Sequence, residues 1–269
     1  EIVVLSAADT ELTILANARA AISEDTFPSL RLANVMSLSH NLSVDIYVAN
    51  IIAKSKIAII RLLGGRGYWP YGVEQIINTC NKSGTQVAFL PGDDQPDSEL
   101  AELSTLSAEN QHRLWQYCVQ GGLENAIGFL SYTATLIGFD TEWNEPRPLV
   151  RAGLHWPGQS NTDLAHIRSN WTDGNPVAAL VFYRALVQSG NLQAVDMMIE
   201  GLTQAGLNTV PIFVTSLKDP IAAAVLETCL SQVKPKIILN TTGFAFSSPG
   251  QKRTPNPFDL VSNSAASPP

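Results

Sequence analysis

Residues 57–75, IAIIRLLGGRGYWPYGVEQ, constrain the fold more than any other stretch. The run opening at Ile57 is apolar without alternation, as expected of a strand buried on both faces. Gly64-Gly65-Arg66-Gly67 breaks it, and from Pro70 onward Val73, Ile76 and Ile77 repeat at helical spacing. A buried strand, a glycine turn and a helix put the turn at the carboxyl edge of a parallel sheet, where open α/β folds bind ligands. Arg61 ends the strand, and the turn carries Arg66 with the rings of Tyr68, Trp69 and Tyr71. Guanidiniums and rings together suit a flat, anionic, π-rich partner. The plainer alternative is a tight turn whose aromatics pad the sheet edge. Two nucleotide sites are excluded. The run lacks the Lys-Ser/Thr ending of a phosphate-binding loop, and Pro70 stands where the dinucleotide fingerprint needs glycine.

The same alternation extends along the chain. Apolar runs at 2–5, 30–35, 56–63 and 86–90 read as strands. Helical patterns follow at 10–21, at 44–54 with Ser43 as cap, and to a stop at Ser83-Gly84. Further ones are expected at 97–103, at 107–120 with Ser107 as cap, and at 123–137. Right-handed crossovers would set the loops after Leu5, Val35, Leu63 and Leu90 on one rim. Asp93 and Asp94, on the last of these loops, suit either a hard-metal or phosphoryl site or the cap of the next helix. At 139–151, FDTEWNEPRPLVR, the composition turns polar and proline-rich, which reads as a crossing between domains 1–148 and 149–269.

Beyond the crossing, 149–155 is expected as a strand returning to a sheet edge, and Asn161 or Thr162 as the cap of a helix to Trp171. Strands at 177–183, 210–215 and 236–240 end in Arg184, Ser216 and Asn240; helices at 192–205 and from Asp219-Pro220 separate them. Three strands are few for a doubly wound sheet, so this lobe is expected to be incomplete. The predicted fold is therefore α/β, with two Rossmann- or flavodoxin-like lobes and mostly parallel sheets. Asp93, Arg184, Ser216 and Asn240 are candidates because of their strand-end position. The last residues, 262–269, have the composition of a flexible tail, and the chain reads as a piece of a longer one.

Composition narrows the class. With 45% hydrophobic and 15% charged residues the 269-residue chain carries a large core, and a net charge of −7 argues against a nucleic-acid footprint. No run is long and apolar enough for a membrane helix. Three scattered cysteines, Cys80, Cys118 and Cys229, make neither a metal spacing nor a disulfide framework, which suggests a reducing, cytoplasmic setting. The four histidines are dispersed; His155 and His166 could face each other across a loop, but a structural role suits them better. Zinc-hydrolase, thiol-redox and acyl-transfer signatures are missing.

The stretch Arg61–Gln75 resembles the cobaltochelatase/magnesium-chelatase large-subunit family. So do Leu90–Asp94, Leu114–Tyr117, Arg151–Leu154, Pro176–Arg184, Phe213–Pro220 and Asn240–Ala245, collinear over essentially the whole chain. The resemblance implies the amino-terminal portion of an aerobic cobaltochelatase subunit several times longer. Such a subunit binds hydrogenobyrinic acid a,c-diamide, and cobalt(II) is inserted at the cost of ATP. The ATP is hydrolysed on an AAA+ subunit and its metal-insertion partner. No cofactor is assigned to this chain, and no catalytic residue carries over. It further implies a macrocycle stacked on Tyr68, Trp69 and Tyr71 with its acidic arms on Arg61 and Arg66. Loss of Trp69 or Arg66 would then lower affinity and lower stability only modestly. In the opposing reading the same residues anchor the loop within a scaffold that meets no ligand.

Overall fold

The computed structural model describes residues 1–23 and 27–243, so the tail at 262–269 lies outside the described residues. The chain divides into two compact units, Glu1–Leu149 and the part from Val150 onward.

In the first unit β1 (Ile2–Ser6) leads to α1 (Asp9–Ala21), and β2 (Leu30–Asn34) to α2 (Asn41–Asn50). Then come β3 (Ile57–Leu62), α3 (Pro70–Ser83), β4 (Gln86–Pro91), α4 (Ser98–Glu102), α5 (Ala108–Gln120) and α6 (Leu123–Leu136). The sheet is wholly parallel in the order β2-β1-β3-β4, with Ser6 beside both Asn34 and Arg61, and Arg61 beside Leu90. Helices cover both faces, which is why its strands are apolar without alternation. On one face Ile2, Val4, Ile57, Ile59 and Leu90 pack against α1, α5 and α6. On the other, Val3, Leu5, Ile60, Leu62 and Phe89 pack against α2 and α3.

The helix α6 is apolar nearly all round because it is buried between α1, α5 and the sheet. Gly128 lets it approach α5: a Cβ there would lie 2.6 Å from Cε1 of Tyr117. The polar segment that follows forms no helix or strand, yet it is fastened to these helices. Asn125 donates to the Arg147 carbonyl at 2.9 Å and accepts from its amide at 2.8 Å. Trp143 meets the ring of Tyr132 edge-on at 4.6 Å, and the Arg113 guanidinium, bonded to Glu145, lies over both rings.

The second unit contains β5 (Ala152–Trp156), β6 (Gln159–Thr162), α7 (Leu164–Ser169), β7 (Val177–Tyr183) and α8 (Arg184–Gln188). It continues through α9 (Gln193–Gln204), β8 (Asn208–Val214), α10 (Pro220–Val233) and β9 (Ile237–Asn240). The sheet order is β6-β5-β8-β7-β9; β8, β7 and β9 run parallel, while β5 is antiparallel to both neighbours. Val181, Ile212 and Val214 meet Leu226 and Leu230 of α10 on one face. On the other, Phe182 stacks beside Phe213, with ring centroids 6.4 Å apart. Gly153 of β5 permits this, since a Cβ there would lie 2.8 Å from Cζ of Phe213.

Several expectations are corrected. The second sheet has five strands, not three, and β5 lies inside it rather than at its edge. The hairpin strand β6 reads Gln-Ser-Asn-Thr, with no apolar alternation to betray it. Asn161 and Thr162 therefore belong to β6, and Asp163 caps α7 by accepting from the His166 amide at 2.7 Å. Ser43 caps nothing: α2 begins at Asn41, and His40 holds the cap position without a side-chain bond. Asp97 rather than Asp93 or Asp94 caps α4, accepting from the Leu100 amide at 3.0 Å. Among the described residues no helix is long and apolar enough to cross a membrane.

Candidate functional site

The parallel strands of each unit end on a carboxyl rim, and the two rims differ in how their charges are held. On the first, Arg61 is 5% exposed. Its Nε and Nη2 donate to the Pro91 carbonyl at 3.1 and 3.0 Å, and its Nη1 donates to Glu11. Glu11, in the first turn of α1, also accepts from the Ser6 hydroxyl at 2.6 Å. A buried guanidinium has to be paired, and this one ties the ends of β1, β3 and β4 to α1.

Beyond Arg61 the chain turns through Gly64 and Gly65 at φ of 88° and 70°, values that favour glycine. A short 3-10 turn, Arg66–Tyr68, precedes α3. Trp69 is 8% exposed, donates its indole N–H to the Leu38 carbonyl at 3.1 Å and covers Gly72, where a Cβ would lie 2.1 Å from Cε2 of the ring. Tyr71 donates to Asp45 at 2.8 Å. The parts turned outward are Tyr68, whose hydroxyl lies 2.9 Å from the Met36 sulfur, and Arg66, paired with Glu99 at 3.3 Å. Asp93 and Asp94 are exposed and shape their own turn. Asp93 accepts from the Gln95 amide at 3.1 Å, and Asp94 from its side-chain amide at 3.0 Å. Among the described residues no group of three His, Cys, Asp or Glu side chains is placed to hold a metal.

The second rim gathers Arg184, Ser216 and Asn240 at the ends of β7, β8 and β9. Because β5 runs antiparallel to β8, its starting end arrives at the same rim and brings Arg151, which sequence reading missed as a site residue. The Thr215 amide donates to the Arg151 carbonyl at 2.8 Å. The Arg151 Nη1 donates to Asp219 at 3.0 Å, and the Thr215 hydroxyl donates to the same carboxylate oxygen at 3.0 Å. The other oxygen of Asp219 accepts from the amides of Ile221 and Ala222, capping α10. Burial opposes the Asp219 charge, but the bonds from Arg151, Thr215 and the two amides outweigh it and hold the carboxyl below its usual range. Arg184 is half-buried and donates Nε to the Val150 carbonyl at 3.1 Å. Burial and then the neighbouring Arg151 charge depress its pKa. Asn240 folds back on the Thr242 amide and hydroxyl, Ser216 accepts from the Lys218 amide, and the Gly243 amide donates to the Tyr183 hydroxyl at 2.8 Å.

His155 and His166 form no common site. His155 sits beneath Phe182 and pairs with Asp196 at 2.7 Å, whereas His166 lies in the opening turn of α7.

The family model described as CobN/Magnesium Chelatase matches residues 115–261. The aerobic cobaltochelatase subunit CobN of Pseudomonas aeruginosa is 42% identical over 250 residues, covering 93% of this chain and 20% of that protein. The subunit of the same name from a Sinorhizobium species is 39% identical over 264 residues, covering 95% of this chain and 20% of that protein. The chain thus spans about a fifth of the length of these curated relatives. The catalytic subunit of cobaltochelatase from Mycobacterium tuberculosis superposes with a TM-score of 0.66 at 22% identity, over 90% of this chain and 18% of that one. That likeness carries the fold alone.

Proposed function

The chain belongs to the CobN/magnesium chelatase family, and from that membership we propose that it forms the amino-terminal portion of a cobaltochelatase large subunit. The complete subunit binds hydrogenobyrinic acid a,c-diamide as the acceptor of cobalt(II), which is substrate here and not a resident cofactor. ATP is hydrolysed on an AAA+ subunit and its metal-insertion partner, and the reaction runs in the cytoplasm. The observation that carries this reading is the 42% identity to a cobaltochelatase subunit over 93% of the chain. The absence of a phosphate-binding loop from the sequence is in keeping with nucleotide chemistry on other subunits.

Within that assembly the two rims take different parts. The inward bonding of Arg61 and Trp69 favours a scaffold role for the first unit's aromatic loop, with Tyr68 and Arg66 as its outward face. Asp93 and Asp94 belong to the same scaffold through the turn they shape. Arg184, Ser216 and Asn240 keep the ligand-binding assignment.

A chimera tests the proposal. The matching fifth of the Pseudomonas relative is replaced by this chain, and cobalt insertion is assayed with both partner subunits and ATP. Insertion into hydrogenobyrinic acid a,c-diamide is expected. A folded chimera that inserts magnesium into a porphyrin but no cobalt into the corrin precursor overturns the assignment.

A further inference from the structure

The first unit holds a cavity between α6 and the polar segment that follows it. Glu124, Ile127, Gly128 and Ser131 recur at helical spacing and form one stripe of α6. Residues 141–147 pass beside that stripe as a strap. The Thr141 hydroxyl pins the strap to the Ser131 carbonyl at 2.8 Å, the Tyr117 hydroxyl donates to the Asn144 carbonyl, and Asn125 holds Arg147. The space left between them is about 260 Å³, room for a small organic ion rather than a drug-sized ligand.

Two of the lining side chains have bonding capacity unspent. Ser131 is 6% exposed, yet its hydroxyl has no hydrogen-bond partner among the described residues. Its neighbours Thr133 and Thr135 donate to the carbonyls four residues back, at 2.6 and 3.2 Å, and Ser131 does not. A buried hydroxyl left unpaired is costly, so a partner from outside the chain is called for. Glu142 is exposed and makes no ion pair among the described residues, whereas Glu124 is paired with Arg147 and Glu145 with Arg113.

The lining also decides the sign of the ligand. It offers three carboxylates, Glu124, Glu142 and Glu145, against one guanidinium, Arg147; Arg113, outside the lining, is shared between Glu145 and Glu109. The rings of Tyr117 and Trp143 line the same space, and aromatic faces attract cations. An ammonium group donates to a carboxylate and to a hydroxyl oxygen, the two groups that Glu142 and Ser131 leave open.

We propose that this cavity binds a small organic ammonium ion, held by the Glu142 carboxylate and the Ser131 hydroxyl beside the rings of Tyr117 and Trp143. It shares no residue with either rim and is independent of the function proposed above.

The test titrates the 269-residue chain with propylammonium, and with propanol and propionate as its neutral and anionic counterparts, at constant ionic strength. The amide resonance of Ser131 and the indole resonance of Trp143 report occupancy in an NMR titration. Saturable shifts are expected with propylammonium, and weaker ones or none with the other two. Glu142→Gln should weaken the ammonium about tenfold, as the loss of a charge-assisted bond does, and Ser131→Ala should weaken it less. Both variants should melt near the parent, since neither side chain has a partner within the described chain. Propanol or propionate binding as tightly as the ammonium, or ammonium binding that Glu142→Gln leaves unchanged, overturns the proposal. So does the lack of a saturable shift with all three probes, which leaves the cavity to water. If Ser131→Ala disturbs the fold, the exposed Glu142→Gln decides.

Discussion

Arg61 and Arg151 each lie on the carboxyl rim of a sheet, Arg61 near the end of the parallel strand β3 and Arg151 just before the antiparallel β5, and their charges are held differently. Arg61 is bonded to a main-chain carbonyl and to Glu11, at 5% exposure, so its charge is consumed inside the fold. Arg151 shares Asp219 with a hydroxyl and a helix terminus and remains 61% exposed. Strand-end position brings an arginine to the rim. How far its charge is spent inside the fold depends on the acceptors that reach it first.

The largest effects are expected on the first rim, in stability. Trp69→Ala removes a ring that is 8% exposed and covers Gly72. It should cost about 3–5 kcal/mol in a melting or denaturant experiment, as buried aromatic truncations do. That exceeds the modest loss of stability expected from sequence if the ring faced the ligand, and it favours the anchor reading of the loop. Arg61→Met takes the guanidinium from Glu11 and the Pro91 carbonyl, and about 3 kcal/mol is expected because Glu11 is only partly buried and keeps its bond from Ser6. A melting temperature unmoved by either change would break the comparison at its firmer end.

On the second rim Asp219→Ala removes the cap of α10 and the partner of Arg151, for about 1–2 kcal/mol. Its pH dependence sharpens the point. The folded carboxyl titrates below its ordinary value of 3.8, so its contribution is fully present above that value and is lost as pH falls through the lower, folded one. Acid titration of the Asp219→Ala variant should therefore show a smaller stability loss below about pH 4 than the parent. An identical acid limb in both proteins would contradict the bonding described. The smallest effect belongs to Arg66→Ala. Its pair with Glu99 is exposed at both ends, so a change within about 0.5 kcal/mol is expected.

Much of this was legible in the sequence, for reasons that also explain the rest. Unbroken apolar runs such as Ile57–Ile60 announce strands buried on both faces, and Asp219-Pro220 announces the start of α10. The placing of Arg184, Ser216 and Asn240 at the rim was legible because each ends or follows an apolar strand. Arg151 was not, since it precedes β5, and a residue before a strand reaches a carboxyl rim only where that strand runs antiparallel. The short helix α8 and the polar strand β6 carry too few residues for periodicity to register. The inward turn of Arg61 depends on Glu11, fifty positions away, a pairing that local sequence does not encode.

The central claim is that the first rim's Arg61 is built into the fold while the second rim's Arg151 stays at its surface. It is tested most directly by measuring the melting temperatures of Arg61→Met and Arg151→Gln side by side. The account predicts a melting temperature lower by roughly 6–12 °C for Arg61→Met. For Arg151→Gln it predicts a melting temperature within a few degrees of the parent, because the guanidinium is 61% exposed. An unmoved melting temperature for Arg61→Met, or equal losses for the two variants, would contradict it.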